Sequence, residues 1–505
     1  MNTFMSALQD ANNFTYTENG AITHKTTKSA LLDMFAMGGA MRKRSDEDVI
    51  LMFRKAYAEN PVYTLKCLFY LRDVRGGQGE RRFFRVVIQD LAREDAEAML
   101  RNMKYIPEFG RWDDLYAFVG TNLEAAAFKM MKDQLALDVQ CKTPSLLAKW
   151  LKSENTSSAE SRHLGAITRN AFGMTAKQYR KTLSILRSRI NIVERLMSEN
   201  RWDEIEFDKI PSRAGLIYKN AFARRDIIKQ KYETFAKDTT TKVNAEVLNP
   251  VDIAERIFSS YNGRNFSDTD IAMFQKYWDN LKDYYNGREE PGIAVVDVSG
   301  SMSGQPMAAA VAMGAYIAER GKGPFANHFI TFSGHPELVS FDGVNIVDKF
   351  WRARSADWGM DTNIEAVFDM LLNTALQNKV APEDIPKTIY IFSDMEFNTC
   401  LSAGKPSKSQ YGLYSFRPGK YLNSEGAILT LMEEIALKWK RYGYELPRIV
   451  FWNLRAAKEN IPAMGGRFSY VSGFSMTMIE QILSGKDGYD LMMEKLNTER
   501  YSCIK

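Results

Sequence analysis

The hydrophobic period of this chain changes once, between residues 285 and 290, and that change constrains its fold more than any other feature. Before it, segments such as DEDVILMFRKAYAEN, ERRFFRVVIQDLAREDAEAMLRNM and AKQYRKTLSILRSRINIVERLMSEN place apolar residues at i, i+3, i+4 and i+7, the pattern of amphipathic helices. Breaks at RGGQG (75–79), Pro107 and Gly110, Thr143-Pro144 and Ile210-Pro211 divide this half into helices of roughly 10–20 residues. Short turns between such helices predict stacked hairpins, an all-α, HEAT-like helical-repeat module over 1–285. No repeat period is clear enough to count units. SENTSSAES (153–161) reads as a surface loop. After residue 290, buried strands alternate with helices: GIAVVDVS, QPMAAAVAMGAYIAERG, HFITFS, ELVSF, DTNIEAVFDMLLNTALQ, KTIYIFSDM, EGAILTLMEEIALKWKRYGY, RIVFWNL, RFSYVSG and MTMIEQIL. That order predicts an α/β doubly wound, Rossmann-like domain over 290–505, with ELVSF as a candidate antiparallel edge strand. A chain of 505 residues is long enough for both.

Composition excludes several classes. With 45% hydrophobic and 26% charged residues, the chain is neither mostly disordered nor fibrous. It has no apolar run of about 18 residues, so no membrane span is expected. MNTFMSALQDANNFTY lacks the basic and apolar regions of a signal peptide, and a cytoplasmic location is expected. Cys67, Cys141, Cys400 and Cys503 are far apart, which argues against a zinc site or a disulfide framework. His24, His163, His328 and His335 show no metal-ligand spacing.

The sharpest chemical signal follows the first strand of the second half. Asp297-Val298-Ser299-Gly300-Ser301 is D-x-S-x-S directly after a buried strand, and ligands of open α/β sheets sit beyond strand carboxyl ends. Thr362, in Gly359-Met360-Asp361-Thr362-Asn363, precedes a helix, and Asp394 ends a later strand. Three hydroxyls and two carboxylates are hard oxygen donors, suited to Mg²⁺ or another divalent cation, which takes about six oxygens and keeps some waters. The set closely resembles the metal-ion-dependent adhesion site of von Willebrand factor A domains. That resemblance implies direct ligation by Ser299 and Ser301 and mainly water-mediated contact by Asp297 and Asp394. Thr362 would bind directly or through water, and one position would stay open for a partner's carboxylate. The alternative is that the two serines only cap the following helix. Enzymatic readings are weaker. A two-metal nuclease needs more converging carboxylates. There is no G-x-S-x-G elbow or serine–histidine–acid set, and RGGQGERR lacks the ending of a P-loop. Asp357, Asp361 and Glu365 lie near Thr362, with Glu365 expected on the solvent side of its helix.

Positive charge is concentrated in the helical half. Residues 1–290 hold 45 basic and 39 acidic residues, a net of +6, and the remainder, 22 and 23, a net of −1. Within 141–190, Lys142, Lys149, Lys152, Arg162, Arg169, Lys177, Arg180, Lys181, Arg187 and Arg189 face only Glu154 and Glu160, a net of +8. Such an excess suits a phosphate-binding surface, unless acids elsewhere in the fold offset it. A second cluster surrounds RGGQG: Arg72, Arg75, Arg81 and Arg82. Its glycines would let backbone approach a ligand while the arginines fork onto phosphates. Alternatively it is a helix–helix turn in which Arg72 and Arg81 pair with Asp73 and Glu80. A third cluster holds Lys219, Arg224 and Arg225. Aromatics such as Tyr179 beside Arg180 could stack on unpaired bases, although aromatics at helical spacing are more often core.

Four stretches carry a wider resemblance: LFYLRDVRGGQGERRFF (68–84), SLLAKWLKSEN (145–155), YRKTLSILRSRINIVERLMSENRWDEIEF (179–207) and IPSRAGLIYKNAFARRD (210–226). With the C-terminal domain they resemble the Ro ribonucleoprotein, or TROVE, architecture, and more closely TROVE-like proteins of plants, bacteria and large viruses. The resemblance implies helical repeats closed into a ring whose basic rim and hole bind structured small RNAs and single-stranded RNA ends. It also implies an A domain that carries the metal and joins the ring's ends. The expected function is non-enzymatic RNA binding without a membrane partner. The alternative is an adaptor whose metal captures an Asp or Glu of a protein partner.

Overall fold

The computed structural model describes residues 13–190, 192–245, 247–259, 266–332, 335–355, 362–398, 407–408, 414–415 and 429–505. The chain forms two compact units that interleave in sequence. One comprises residues up to Arg44, Lys55–Asn60 and Asn249–Leu496; the other comprises Ser45–Arg54, Pro61–Leu248 and Asn497–Lys505.

The first unit is built on an open mixed sheet with flanking helices. It opens with a hairpin, β1 (Phe14–Tyr16) and β2 (Ile22–His24), in which Thr15 faces Thr23. The main sheet holds β3 (Gly292–Asp297), β4 (His328–Phe332), β5 (Leu338–Ser340), β6 (Thr388–Ser393), β9 (Arg448–Asn453) and β10 (Phe468–Ser472). The pairs β7 (Ser407–Lys408) and β8 (Tyr414–Ser415) form a separate two-residue ladder. The main sheet runs β10-β9-β6-β3-β4-β5. All its neighbours are parallel except β5, which pairs antiparallel with β4 at the edge, as the short ELVSF segment suggests. Ile293, Ala294, Val295 and Val296 of β3 are all buried, since a parallel sheet covered on both faces needs continuous apolar strands.

The helix Gln305–Arg320 covers β3 through a run of alanines. Gly314 sits so close that an added Cβ would meet Val296 Cγ2 at 2.4 Å. Helices Pro250–Phe258 and Asp268–Asp279, read from sequence as part of the helical module, pack in this unit. Trp278 is fully buried there, edge-on to Phe350 at 5.3 Å. The first 44 residues also belong here. His24 exchanges backbone hydrogen bonds with Ile461 at 2.9 and 2.8 Å, and the Ser472 hydroxyl donates to Phe35 O at 3.0 Å.

The second unit is helical. Its helices include Pro61–Arg72, Arg82–Glu94, Glu124–Gln140, Ala159–Phe172, Ala176–Arg189, Ser212–Arg224 and Asp226–Lys237. Arg82–Glu94 buries Phe83, Phe84, Val87, Ile88 and Leu91 on one face, the stripe its sequence predicts. Thr175 and Gln178 form a capping box that starts Ala176–Arg189. The chain's last residues close this unit: Tyr501 stacks on Phe109 at 5.7 Å and donates to Asp73 Oδ2 at 3.0 Å. The helical module is therefore helical-repeat-like, but the contacts part the chain at 44/45, 248/249 and 496/497, in addition to the short exchange around Lys55–Asn60. Among the described residues, no helix is long and apolar enough to cross a membrane.

Candidate metal centre

Strand order places the site. The chain leaves β3 toward β4 on one side, and β6 lies on its other side, so the carboxyl ends of β3 and β6 bound a topological switch point. Asp297 is the last residue of β3, and Ser393 and Asp394 stand at the end of β6. Asp297, Ser299, Ser393 and Asp394 are all buried, and Ser301 is half-buried.

The hydrogen bonds knit these groups together. Asp297 Oδ1 accepts from the Ser299 amide at 2.9 Å, and its Oδ2 accepts from the Ser393 hydroxyl at 2.6 Å. The Ser299 and Ser301 hydroxyls lie 3.1 Å apart. Neither serine caps a helix through its side chain: the short 3-10 turn after Ser299 has no such bond, and Gln305–Arg320 is preceded by Gly304. Asp394 Oδ1 accepts from the Glu396 amide at 3.2 Å. Its other oxygen, Oδ2, is buried with no hydrogen-bond partner among the described residues. Thr362 joins through the segment after Asp394. Its hydroxyl donates to Asn398 Oδ1 at 2.6 Å and accepts from Asn19 Nδ2 at 3.0 Å. Thr362 O also accepts from the Asn398 amide at 3.0 Å.

The electrostatics are those of crowded, desolvated acids. Burial, and then the neighbouring Asp394 charge, pushes Asp297 up to about 7. Burial raises Asp394, partly offset by the Ser301 hydroxyl and the Arg455 guanidinium. Burial also pushes Glu396 up to about 7. A divalent cation among these oxygens would lower the cost of holding the carboxylates charged. The orphaned Asp394 oxygen and the paired serine hydroxyls fit such an ion, with Asp297, Ser299, Ser301 and Asp394 as the residues that would hold it; the Thr362 hydroxyl is engaged by Asn398 and Asn19 instead of by these four. Among the described residues, no group of three or more His, Cys, Asp or Glu side chains is placed to hold a metal ion, so this candidate rests on two carboxylates and hydroxyls.

Sequence reasoning missed the groups around these residues: Glu396 and Asn398, two and four residues past Asp394, Asn19 in the β1–β2 turn, and the Glu18 amide that donates to Glu396. The alternation in Asp394-Met395-Glu396-Phe397-Asn398 was a usable signal; nothing local marked the turn. Glu365 corrects an expectation, being only 6% exposed with Lys438 Nζ at 3.8 Å, not solvent-facing. Asp357 and Asp361 lie outside the described residues, as does most of the 399–424 insert.

The basic residues of the helical unit divide into two kinds. Arg72 is only 2% exposed and binds Asp114 through Nε and Nη2, both at 2.8 Å, so it is not available to a phosphate at the surface. The glycines beside it serve packing: a Cβ on Gly77 would meet Tyr70 O at 1.9 Å. Asp73 pairs with Arg500, and not with Arg72. Arg75 donates to Glu108 O at 3.2 Å, and Arg82 pairs with Asp46. Lys149 pairs with Glu194 at 3.3 Å and Arg169 with Glu154 at 2.9 Å. Arg187 is spent on Ala148 O, Leu151 O and Ser153 Oγ at 2.8–2.9 Å, and Arg189 donates to Val139 O at 2.8 Å.

Other bases face outward. Arg180, Lys181 and Arg224 are exposed, as is the surface of Arg81, whose partly desolvated guanidinium is held below its usual value by that desolvation and by the adjacent Arg111 and Arg85 charges. Lys152 lies 5.8 Å over the Tyr116 ring and Arg225 5.0 Å over Trp202, while Lys219 is half-buried. Tyr179 is core, only 2% exposed, so it offers no face to a base. A cleft of about 460 Å³ lies beside this surface, lined by Arg180, Arg187, Arg195, Glu154, Glu194 and Glu199 among others.

Two family descriptions divide the chain between them. The domain of unknown function DUF2828 matches residues 17–163 and 145–284, and the domain of unknown function DUF7788 matches residues 291–502. A relative from Acanthamoeba polyphaga mimivirus, the uncharacterized protein L728, is 31% identical over 524 residues, spanning 94% of this chain and 85% of the viral one. The chain belongs to the DUF2828 family. All five candidate metal residues fall in the DUF7788 match, whereas Glu18, Asn19 and all the candidate RNA-binding bases fall in the DUF2828 match.

Proposed function

We propose that this DUF2828 protein is a non-enzymatic RNA-binding protein of Ro-like, TROVE-type organisation. Its helical unit would hold small structured RNA or single-stranded RNA ends, and a Mg²⁺-class cation would sit in a von Willebrand A-type domain. The observation that carries this reading is charge that survives folding. Of the ten bases in 141–190, Lys149 and Arg169 pair with acids. Arg162, Arg187 and Arg189 are tied to neutral oxygens, mainly backbone carbonyls, which fix them without cancelling their charge. Lys177, Arg180 and Lys181 are exposed on one helix. Such a surface attracts phosphate whatever the base sequence.

The test is a gel shift with hairpins that carry or lack a single-stranded 3′ tail. Wild type should prefer the tailed RNA, and a Lys177→Glu/Arg180→Glu/Lys181→Glu variant should lose it. Arg187 is left intact because its removal would disturb the carbonyls it holds. Equal binding by the variant, or none by wild type, counts against the reading.

A second reading is favoured by the buried, unpartnered Asp394 oxygen and the hydroxyl pair beside it. Here the cation captures a carboxylate from a protein partner, and the helical unit is a scaffold. Metal-dependent capture of an acidic peptide, abolished by Asp297→Ala, with no salt-sensitive RNA affinity, would select this reading over the first.

A further inference from the structure

The cleft of about 460 Å³ in the helical unit has the size of a small-molecule site. One wall is the helix Ala176–Arg189, where Arg180, Ser184 and Arg187 stand at i, i+4 and i+7 on one face. The short helix Val193–Ser198 and the residue before it, Ile192, form another wall, and Leu183 and Ile192 give the cleft an apolar side. By its lining alone the cleft is balanced in charge: Arg180, Arg187 and Arg195 stand against Glu154, Glu194 and Glu199.

The ion pairs undo that balance. Glu154 is held by Arg169 at 2.9 Å, Glu194 by Lys149 at 3.3 Å and Glu199 by Arg195 at 2.9 Å. Arg169 and Lys149 lie outside the lining, so each acid of the cleft already has a base. Arg180 and Arg187 are left over, with no acid paired to either among the described residues. Arg187 is half-buried and donates to Ala148 O and Leu151 O at 2.8 Å and to Ser153 Oγ at 2.9 Å. Those three bonds fix the plane of the guanidinium and leave two of its five N–H groups for a ligand. Burial holds the group below its usual value, with Tyr179 and Tyr116 opposing that shift. A cation drawn out of water, fixed by neutral oxygens and given no counter-ion, is costly until an anion arrives.

We propose that this cleft binds a nucleoside monophosphate group, with the phosphate forked by Arg187 and met by Arg180, and the base laid against Leu183 and Ile192. A phosphate dianion matches two unpaired cations, and a cleft of this volume accommodates a single nucleotide. The inference goes beyond the RNA reading and does not rest on it. A free nucleotide and the end of an RNA strand present the same chemistry, and the test separates them.

The test is calorimetric titration of the full chain with AMP, adenosine and inorganic phosphate. Wild type should bind AMP more tightly than either fragment. Arg180→Ala should weaken AMP about tenfold, the scale of a lost hydrogen bond to a charged group. Ser184→Trp should abolish AMP binding by filling the cleft. Both side chains are exposed, so both variants should melt with wild type. Lys177→Ala/Lys181→Ala removes two bases of the same helix that lie outside the lining, and AMP binding should be unchanged. Displacement of AMP by a hairpin RNA whose single-stranded tail ends in a 3′-phosphate supports the proposal with a strand end as the ligand. AMP binding that the RNA does not displace supports it with a free nucleotide. No AMP binding by wild type overturns the proposal. So does AMP binding that survives Ser184→Trp, or that falls as far with Lys177→Ala/Lys181→Ala as with Arg180→Ala, since this marks general surface charge. AMP binding by a protein that holds no tailed RNA upholds the cleft and sinks only the RNA reading, so the two failures are distinguishable.

Discussion

Arg72 and Asp114 show how a residue's setting decides its role. Asp114 is fully buried and accepts from Arg72, from Arg85 Nε at 2.7 Å and from the Arg111 amide at 2.9 Å. Arg72→Ala removes one partner of a buried pair and should cost the helical unit about 3–5 kcal/mol, read by urea denaturation. Neighbouring Asp113 supplies a pH dependence. Burial raises it, but the Arg85 and Arg111 charges outweigh burial and hold it below the usual aspartate range. A carboxylate depressed in the folded state contributes stability above its unfolded value, and that contribution disappears as pH falls toward the folded value. The urea midpoint of wild type should therefore drop as pH falls below the ordinary aspartate range, and Asp113→Asn should drop less. If the proposed cation binds at the candidate metal centre, saturating Mg²⁺ should raise the melting temperature of wild type, with about 2.7 kcal/mol of stabilisation at 100 times the dissociation constant. Asp394→Ala should show no such shift.

At the scale of elements, close approach matters most. Gly314 lets Gln305–Arg320 lie on β3, and Gly314→Ala would force the new methyl into Val296. That overpacking should cost about 1–3 kcal/mol in thermal or chemical unfolding. The same helix explains how much could be read in advance. Its strands are continuous apolar runs and its helices long and periodic, so β3, β4, β6, β9 and β10 stand where the pattern predicts. D-x-S-x-S was legible because its meaning is local: a strand end followed by hydroxyls. The β1–β2 hairpin was not legible, because FTY and ITH are three residues each and too short to show a period. The helix Ile346–Ser355 was also missed between recognisable neighbours. Glu365 was misplaced because one helical face separates burial from solvent, and only the tertiary partner, Lys438, settles which face is which. Arg72 was unreadable for the same reason, since its acid lies 42 residues away.

Across the whole molecule, sequence halves and compact units do not coincide. The first 44 residues and two helices before 285 join the sheet-bearing unit, and the last nine join the helical one. These memberships depend on contacts hundreds of residues apart, such as Asp73 with Arg500, which no local pattern encodes. Deleting the residues from Asn497 onward should therefore destabilise the helical unit, because Asp73 loses Arg500 and Tyr501 together. The charge asymmetry read from sequence has a sharper form in the fold: bases held to carbonyls, and Lys177, Arg180 and Lys181 on one exposed face.

The measurement that tests the central claim most directly is the affinity of wild type for a 3′-tailed hairpin RNA across salt. Neutralising three or more phosphates of a single strand gives a log–log slope of about −2 or steeper. The account predicts that slope, with the Lys177→Glu/Arg180→Glu/Lys181→Glu variant markedly flatter. A slope near zero, or affinity no tighter than the roughly micromolar-to-0.1 mM non-specific level at physiological salt, would contradict it.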